Sequence, residues 1–313
     1  MASIDRVFRD LGLEVFQRGW LSSNNVLFHA RPGVPATVVD TGYVAHAEQT
    51  DALLKTSLGS EPLERVVNTH LHSDHCGGNA LLSSNGGCEV LVPAASFSAV
   101  REWDEDRLSF RSTGQRCARF VAHGALEVGQ TLRLGNGAWD IVAAPGHDPE
   151  ALMLFEARAG VLISADALWE DRLSIIFPEL SGQSGFAEAR SALDVIEGLA
   201  PRIVIPGHGR PFESVAAALQ QSRSRIDAFE RHPGKHALYG ARALTMFHML
   251  EHRRRRRDEL VAWLCETPVF GLLHRRLDDP PASLQAFGEA LIGGLVAGGQ
   301  LVSAETDVVQ AVG

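Results

Sequence analysis

Lysine is almost missing from this chain: Lys55 and Lys235 are the two present, and arginine carries the remaining positive charge. That bias reads as a compositional habit and carries no function. Cysteine is scarce too, with Cys76, Cys88, Cys117 and Cys265 scattered and none paired as CxxC. The scatter excludes a disulfide framework and a sulfur-ligated zinc knuckle, and points to buried free thiols, Cys76 among them as a packed small residue. No apolar run reaches the roughly 20 residues a membrane span requires. Residues 1–10 mix acids and bases without a signal core, so the chain reads as cytoplasmic with no membrane partner. A formal charge of −9 argues against a general polyanion binder. No GxSxG elbow is found, so a serine nucleophile is not expected.

What is present is an alternation of short β-branched runs with longer segments of helical period. Residues 26–28, 36–40, 65–68, 89–92, 140–142, 160–163 and 202–205 read as strands, and 45–58, 77–84 and 186–199 as amphipathic helices. Two sheets with outer helices accommodate this pattern. Past residue 211 the strands give way to helical segments at 214–231, 237–252, 256–265 and 283–297. The short stretches 298–302 and 308–312 could pair as a ribbon, giving a winged-helix-like appendage. The expected division is 1–230 and 231–313.

His70-Leu71-His72-Ser73-Asp74-His75 places four nitrogen or oxygen ligands in one short turn directly after a strand. Imidazole and carboxylate together suit Zn²⁺, Fe²⁺ or Mn²⁺. Pro145-Gly146-His147, Ala165-Asp166 and Pro206-Gly207-His208-Gly209 follow three further strands, and strand ends fix the backbone of a projecting loop. Four strand ends can therefore converge on one site. Asp40, in Asp40-Thr41-Gly42, reads equally as a turn residue and as an acceptor for a ligand histidine.

Together these segments resemble the HxHxDH hydrolases of the metallo-β-lactamase fold over residues 13–215. The resemblance implies a four-layer αββα sandwich with two divalent cations, zinc first, with iron or manganese as alternatives. It implies that His70, His72 and His147 hold one ion, that Asp74, His75 and His208 hold the other, and that Asp166 bridges them. An aspartate at the bridging position, where true β-lactamases commonly use cysteine, points away from antibiotic hydrolysis and toward thioesterase, lactonase, nuclease and oxidoreductase branches. His147 is followed by Asp148-Pro149, a departure from the threonine-containing motif of hydroxyacylglutathione hydrolases.

The expected activity is hydrolysis of an ester-like bond of a small molecule, a thioester first and a lactone second, by a metal-bridging hydroxide. Asp74 is the expected catalytic carboxylate, orienting that hydroxide and able to shuttle a proton. Trp169 and Phe177 are candidate substrate contacts with a competing reading as core; Trp103 and His123 are weaker candidates. A second reading, nucleic-acid phosphodiester cleavage, rests on the winged-helix-like extension and the run 253–257, Arg-Arg-Arg-Arg-Arg, which also reads as a solvated helix face or junction paired with Glu251, Asp258 and Glu259. A third is mononuclear iron chemistry with oxygen or sulfur. The C-terminal helices could cap the site or support a homodimer.

Overall fold

The computed structural model describes residues 3–305 and 307–312. Its first sheet has six strands in sequential order: β1 (Leu13–Phe16), β2 (Asn25–Phe28), β3 (Thr37–Val39), β4 (Arg65–Val67), β5 (Glu89–Pro93) and β6 (Gly124–Leu126). From β3 to β6 the pairings are parallel. The second sheet has five strands: β7 (Thr131–Leu134), β8 (Gly137–Ala143), β9 (Leu152–Glu156), β10 (Val161–Ala165) and β11 (Ile203–Pro206), with β10 and β11 parallel. β10 and β11 read as largely apolar runs because both of their faces are covered.

Between the sheets lies one apolar layer. Val26, Phe28, Val39 and Val67 from the first meet Leu134, Trp139, Leu154, Ile163 and Ile205 from the second. Trp139 is fully buried and packs edge-on against Phe28, at 5.1 Å and 75°. Helices α1 (Ile4–Leu11), α2 (Ala47–Leu58), α3 (Ser73–Cys76), α4 (Asn79–Gly86), α5 (Phe97–Glu102), α6 (Phe110–Thr113), α7 (Phe177–Leu180), α8 (Phe186–Leu199) and α9 (Val215–Arg231) accompany the sheets. Leu54, Leu82 and Val100 cover the outer face of the first sheet, and Phe186, Leu193, Leu219 and Ile226 that of the second. The result is the expected αββα sandwich.

The remainder packs on its own apolar cluster. Its elements are α10 (Pro233–His252), β12 (Arg254–Arg256), α11 (Arg257–Glu266), α12 (Pro268–Arg275), α13 (Leu284–Ala297), β13 (Leu301–Glu305) and β14 (Val308–Ala311), the strands ordered β12-β14-β13. The expected ribbon is thus joined by a third strand. That strand is the arginine run, which is extended, not helical: Arg254, Arg255 and Arg256 pair in register with Gln310, Val309 and Val308. Ile175, from the segment leading into α7, and Leu180, at the end of α7, insert into this cluster and tie it to the sandwich. Among the described residues no helix is long and apolar enough to cross a membrane.

Candidate metal centre

Each segment of the candidate site leaves the C-terminal end of a strand. Thr69–His75 follows β4, His147 follows β8, Asp166 follows β10 and His208 follows β11. The loops close so tightly that glycine is required. A Cβ on Gly77 would lie 2.3 Å from the Val44 nitrogen, and one on Gly207 would lie 2.0 Å from Asp166 Oδ1. Ala165, just before Asp166, has φ +46°, a left-handed conformation that costs an alanine energy and turns the carboxylate inward.

The seven polar side chains meet as three overlapping triads: His70, His72 and His147; His70, His75 and Asp166; and Asp74, His75 and His208. Within each, candidate ligand atoms lie within 4.8 Å of one another. Asp166 sits between the first and last triads, with Oδ2 3.3 Å from His147 Nε2 and Oδ1 3.4 Å from His75 Nε2. His208 Nε2 is 3.0 Å from Asp74 Oδ2. All seven side chains are at least largely buried.

A count of protons tests whether cations fit. His147 Nδ1 donates to the Ile175 carbonyl at 2.6 Å, and His75 Nδ1 donates to Asp40 Oδ2 at 2.8 Å. The Thr69 hydroxyl donates to Asp40 Oδ2 at 2.7 Å, so it accepts from His70 Nδ1 at 3.1 Å. These outward bonds assign the tautomers. They leave Nε2 of His70 and of His147 as bare acceptors, both turned on His72 Nδ1 at 3.1 and 2.7 Å. One ring proton cannot satisfy both. His75 Nε2 is buried without a hydrogen bond, 3.4 Å from Asp166 Oδ1. Converging lone pairs and a ring nitrogen left bare beside a carboxylate are what a bound cation would satisfy, and the donor set suits zinc, iron or manganese.

Electrostatics divide the cluster in two. Burial, reinforced by neighbouring imidazoles, holds His70 well below the ordinary histidine range. Burial likewise pulls His72 and His147 down to about 4, so these rings are neutral, the form that ligates metal. His75 goes the other way: burial pulls it down, but Asp166, Asp40 and Asp74 outweigh burial and raise it well above the usual value. Burial opposes ionisation of Asp166, yet His75, His208 and His147 hold it well below the carboxylate range. Asp40, Asp74 and Asp166 thus gather three carboxylates about His75, a negative charge that a bound cation would balance.

Asp40 therefore does what its hydrogen-bonding reading expects, while also occupying a turn conformation at φ +57°. Trp169 and Phe177 both reach the cluster. Trp169 Nε1 donates to Asp166 Oδ1 at 3.2 Å, and the Phe177 ring lies 4.5 Å from that of His72. Trp103 packs on Phe110 and Phe120 instead, and His123 Nδ1 accepts from the Val90 amide. Cys76 is fully buried, with Sγ 3.7 Å from Cys117 Sγ. Sequence reasoning missed Trp20, which stacks on His208 at 5.3 Å and 12° although it lies some fifty residues before the first ligand. Its one available signal was an aromatic beside the polar run Ser22–Asn25 at the mouth of β2.

The sequence profile of the metallo-beta-lactamase superfamily matches residues 18–208. The chain belongs to that superfamily. A hydroxyacylglutathione hydrolase from Hyphomonas neptunium is 23% identical over 285 residues, covering 86% of each chain. The human acyl-coenzyme A thioesterase MBLAC2 is 27% identical over 175 residues, 52% of this chain and 61% of that protein. A metallo-beta-lactamase family protein from Thermus thermophilus has a similar fold, with a TM-score of 0.56 and 18% identity across 96% of this chain and 99% of that one. The superfamily is one of metal-dependent hydrolases, and the cluster is an arrangement of histidines and aspartates able to bind metal.

Proposed function

We propose that the chain is a binuclear metallo-hydrolase acting on a thioester of a small molecule, with a lactone as the second substrate type. The observation carrying this reading is the set of three overlapping triads, in which Nε2 of His70 and of His147 converge on one nitrogen of His72 and His75 Nε2 makes no hydrogen bond. His70, His72 and His147 would hold one cation; Asp74, His75 and His208 the other; Asp166 would contact both. When bound, two divalent cations supply Lewis acidity and bring the pKa of a water toward neutrality.

The residues supply orientation and proton handling. Asp40 fixes His75 through Nδ1, and the Ile175 carbonyl fixes His147 through Nδ1, so both rings present Nε2 inward. Asp74 is kept ionised: burial opposes this, but the charge of His75 and the hydrogen bond from His208 outweigh it. As a carboxylate it could take a proton from attacking water and return it to a departing oxygen, help that a departing thiolate does not need. Trp169 and Phe177 exclude water from two sides. Two of the relatives above, the hydroxyacylglutathione hydrolase and the acyl-coenzyme A thioesterase, act on thioesters by name, which supports placing that bond first.

The arginine run favours this reading over nucleic-acid cleavage. Arg254 pairs with Glu305, Arg255 with Glu259 at 3.7 Å, Arg256 with Asp258 at 2.9 Å and Arg257 with Glu289 at 3.0 Å. Guanidinium groups already paired in this way are less available to phosphates. The test is a panel of thioester, lactone and phosphodiester substrates with zinc, iron or manganese. Thioester turnover is expected to need metal and to fall roughly 100-fold or more in Asp74→Ala, while charge-neutral variants at 254–257 leave it unchanged. Phosphodiester cleavage that is lost in those arginine variants, without thioester turnover, would contradict the proposal.

A further inference from the structure

The rim of the metal cluster carries a cation that the proposed chemistry does not use. Arg172 lies on the exposed loop between β10 and α7, its guanidinium carbon 4.9 Å from the centre of the Trp20 ring. Among the described residues it has no carboxylate partner and no hydrogen bond. Its neighbours are otherwise engaged: Glu170 accepts from Arg210 at 3.2 Å and from Ser214 at 2.8 Å, and Arg225 donates to the Asp171 carbonyl at 2.9 Å. Arg172, Arg210 and Arg225 thus bring three guanidinium groups to this edge, on a chain whose formal charge is −9.

Trp20 links that cation to the metal cluster. It stacks on His208 at 5.3 Å, meets Trp169 edge-on at 5.4 Å, and remains 45% exposed. Nearly half of a large aromatic left in water, at the lip of a buried polar cluster, is surface that a ligand can cover. The cation–π contact holds the guanidinium near one position while leaving its planar N–H fork unpaired, the geometry that takes a carboxylate or phosphate through two hydrogen bonds.

We infer that Trp20 and Arg172 form a recognition edge for the anionic end of the substrate: the ring covers an apolar linker, and the guanidinium binds a carboxylate or phosphate beyond it. This rests on the hydrolase reading above and narrows it to thioesters whose arm ends in an anion. Neutral esters of the same acyl group would be poorer substrates. Arg172 is a binding residue here, distant from the bond that breaks.

Binding and turnover are measured separately. For binding, calorimetry uses three non-hydrolysable butyl thioethers, of 3-mercaptopropionate, phosphopantetheine and N-acetylcysteamine, which are a carboxylate, a phosphate and a neutral compound. The zinc-loaded full chain is expected to bind at least one anionic thioether about tenfold or more tightly than the neutral one, a 1.4 kcal/mol difference. Which anion benefits identifies the source of the charge. Arg172→Gln abolishes the preference, and Arg172→Lys restores part of it. For turnover, Arg172→Gln raises KM for the matching butyryl thioesters while leaving kcat, and all values for the neutral ester, within twofold. Equal binding of the three thioethers, or equal loss for all three in Arg172→Gln, overturns the inference. Anion-selective binding without turnover leaves the edge standing and removes the thioesterase reading.

Discussion

Asp40 shows how one residue can hold several others. Its Oδ2 accepts from His75 and from the Thr69 hydroxyl, its Oδ1 accepts from the Thr69 amide, and Thr69 in turn sets the tautomer of His70. Asp40→Asn keeps the shape but offers His75 an amide in place of a carboxylate. It is expected to weaken metal binding roughly 10- to 100-fold, measured by competition with a chromogenic chelator, with the circular dichroism spectrum unchanged. An unchanged affinity would mean that the Asp40–His75 bond does not tune the site. Gly207→Ala makes a harsher test. Its Cβ would fall on Asp166 Oδ1, so loss of metal retention is expected even though the substitution adds one methyl.

The seven side chains that meet in the cluster were legible at this scale because histidine and aspartate are seldom gathered this densely at strand ends. Asp40 was half legible, since Asp-Thr-Gly also suits a turn. Trp20 was not legible: stacking on His208 is a tertiary contact across nearly two hundred residues, and nothing local marks it. Nor was the role of Ile175, which acts through its backbone carbonyl.

Among the elements, α10 and the segment before α7 work as a pair. His236 Nε2 accepts from the Ile176 amide at 3.2 Å, and the Tyr239 hydroxyl donates to the Leu173 carbonyl. The braced segment is the one that orients His147 and presents Phe177 to His72. Burial pulls His236 down to about 4 from an ordinary value of 6.5. The unfolded chain therefore takes up a proton at higher pH than the folded one. The contribution of His236 is complete above about pH 6.5 and is lost as pH falls through 4, on the order of 3 kcal/mol at ~1.4 kcal/mol per unit. His236→Gln, which keeps an acceptor for Ile176, is expected to flatten the decline in chemical stability between pH 6.5 and 4. A decline as steep as in the parent chain would show that other groups control it.

Strands buried on both faces, such as β10 and β11, were legible as unbroken apolar runs, and α8 emerged at its expected bounds. β9, equally apolar, was missed because Ala151–Glu156 lacks β-branched residues. The arginine run lies at the junction between α10 and α11, one of the two places its sequence allowed, but its pairing as a strand with β14 was not legible, because that partner is more than fifty residues away.

At the scale of the whole molecule, the sandwich and the C-terminal helices are joined by a hydrogen bond and an ion pair on Glu251 as well as by Ile175 and Leu180. The Tyr43 hydroxyl donates to Glu251 at 2.8 Å, and Arg116 pairs with the same carboxylate. Tyr43 also lies against the Gly77 turn behind His75. Tyr43→Phe is expected to lower stability by about 1 kcal/mol in urea unfolding, and Glu251→Ala to cost more because it takes the acceptor from the Tyr43 hydroxyl and the carboxylate from Arg116 together. No change in either variant would mean that the apolar contacts alone hold the two parts together.

The central claim is that Asp166 and the six side chains around it hold two cations. The most direct measurement is elemental analysis of the full chain after loading with excess zinc and gel filtration, alongside Asp166→Ala treated identically. The account predicts two zinc ions per parent chain and fewer in Asp166→Ala, with the parent's thermal midpoint falling on chelation. One tightly held ion per chain, unaffected by loss of Asp166, would contradict it.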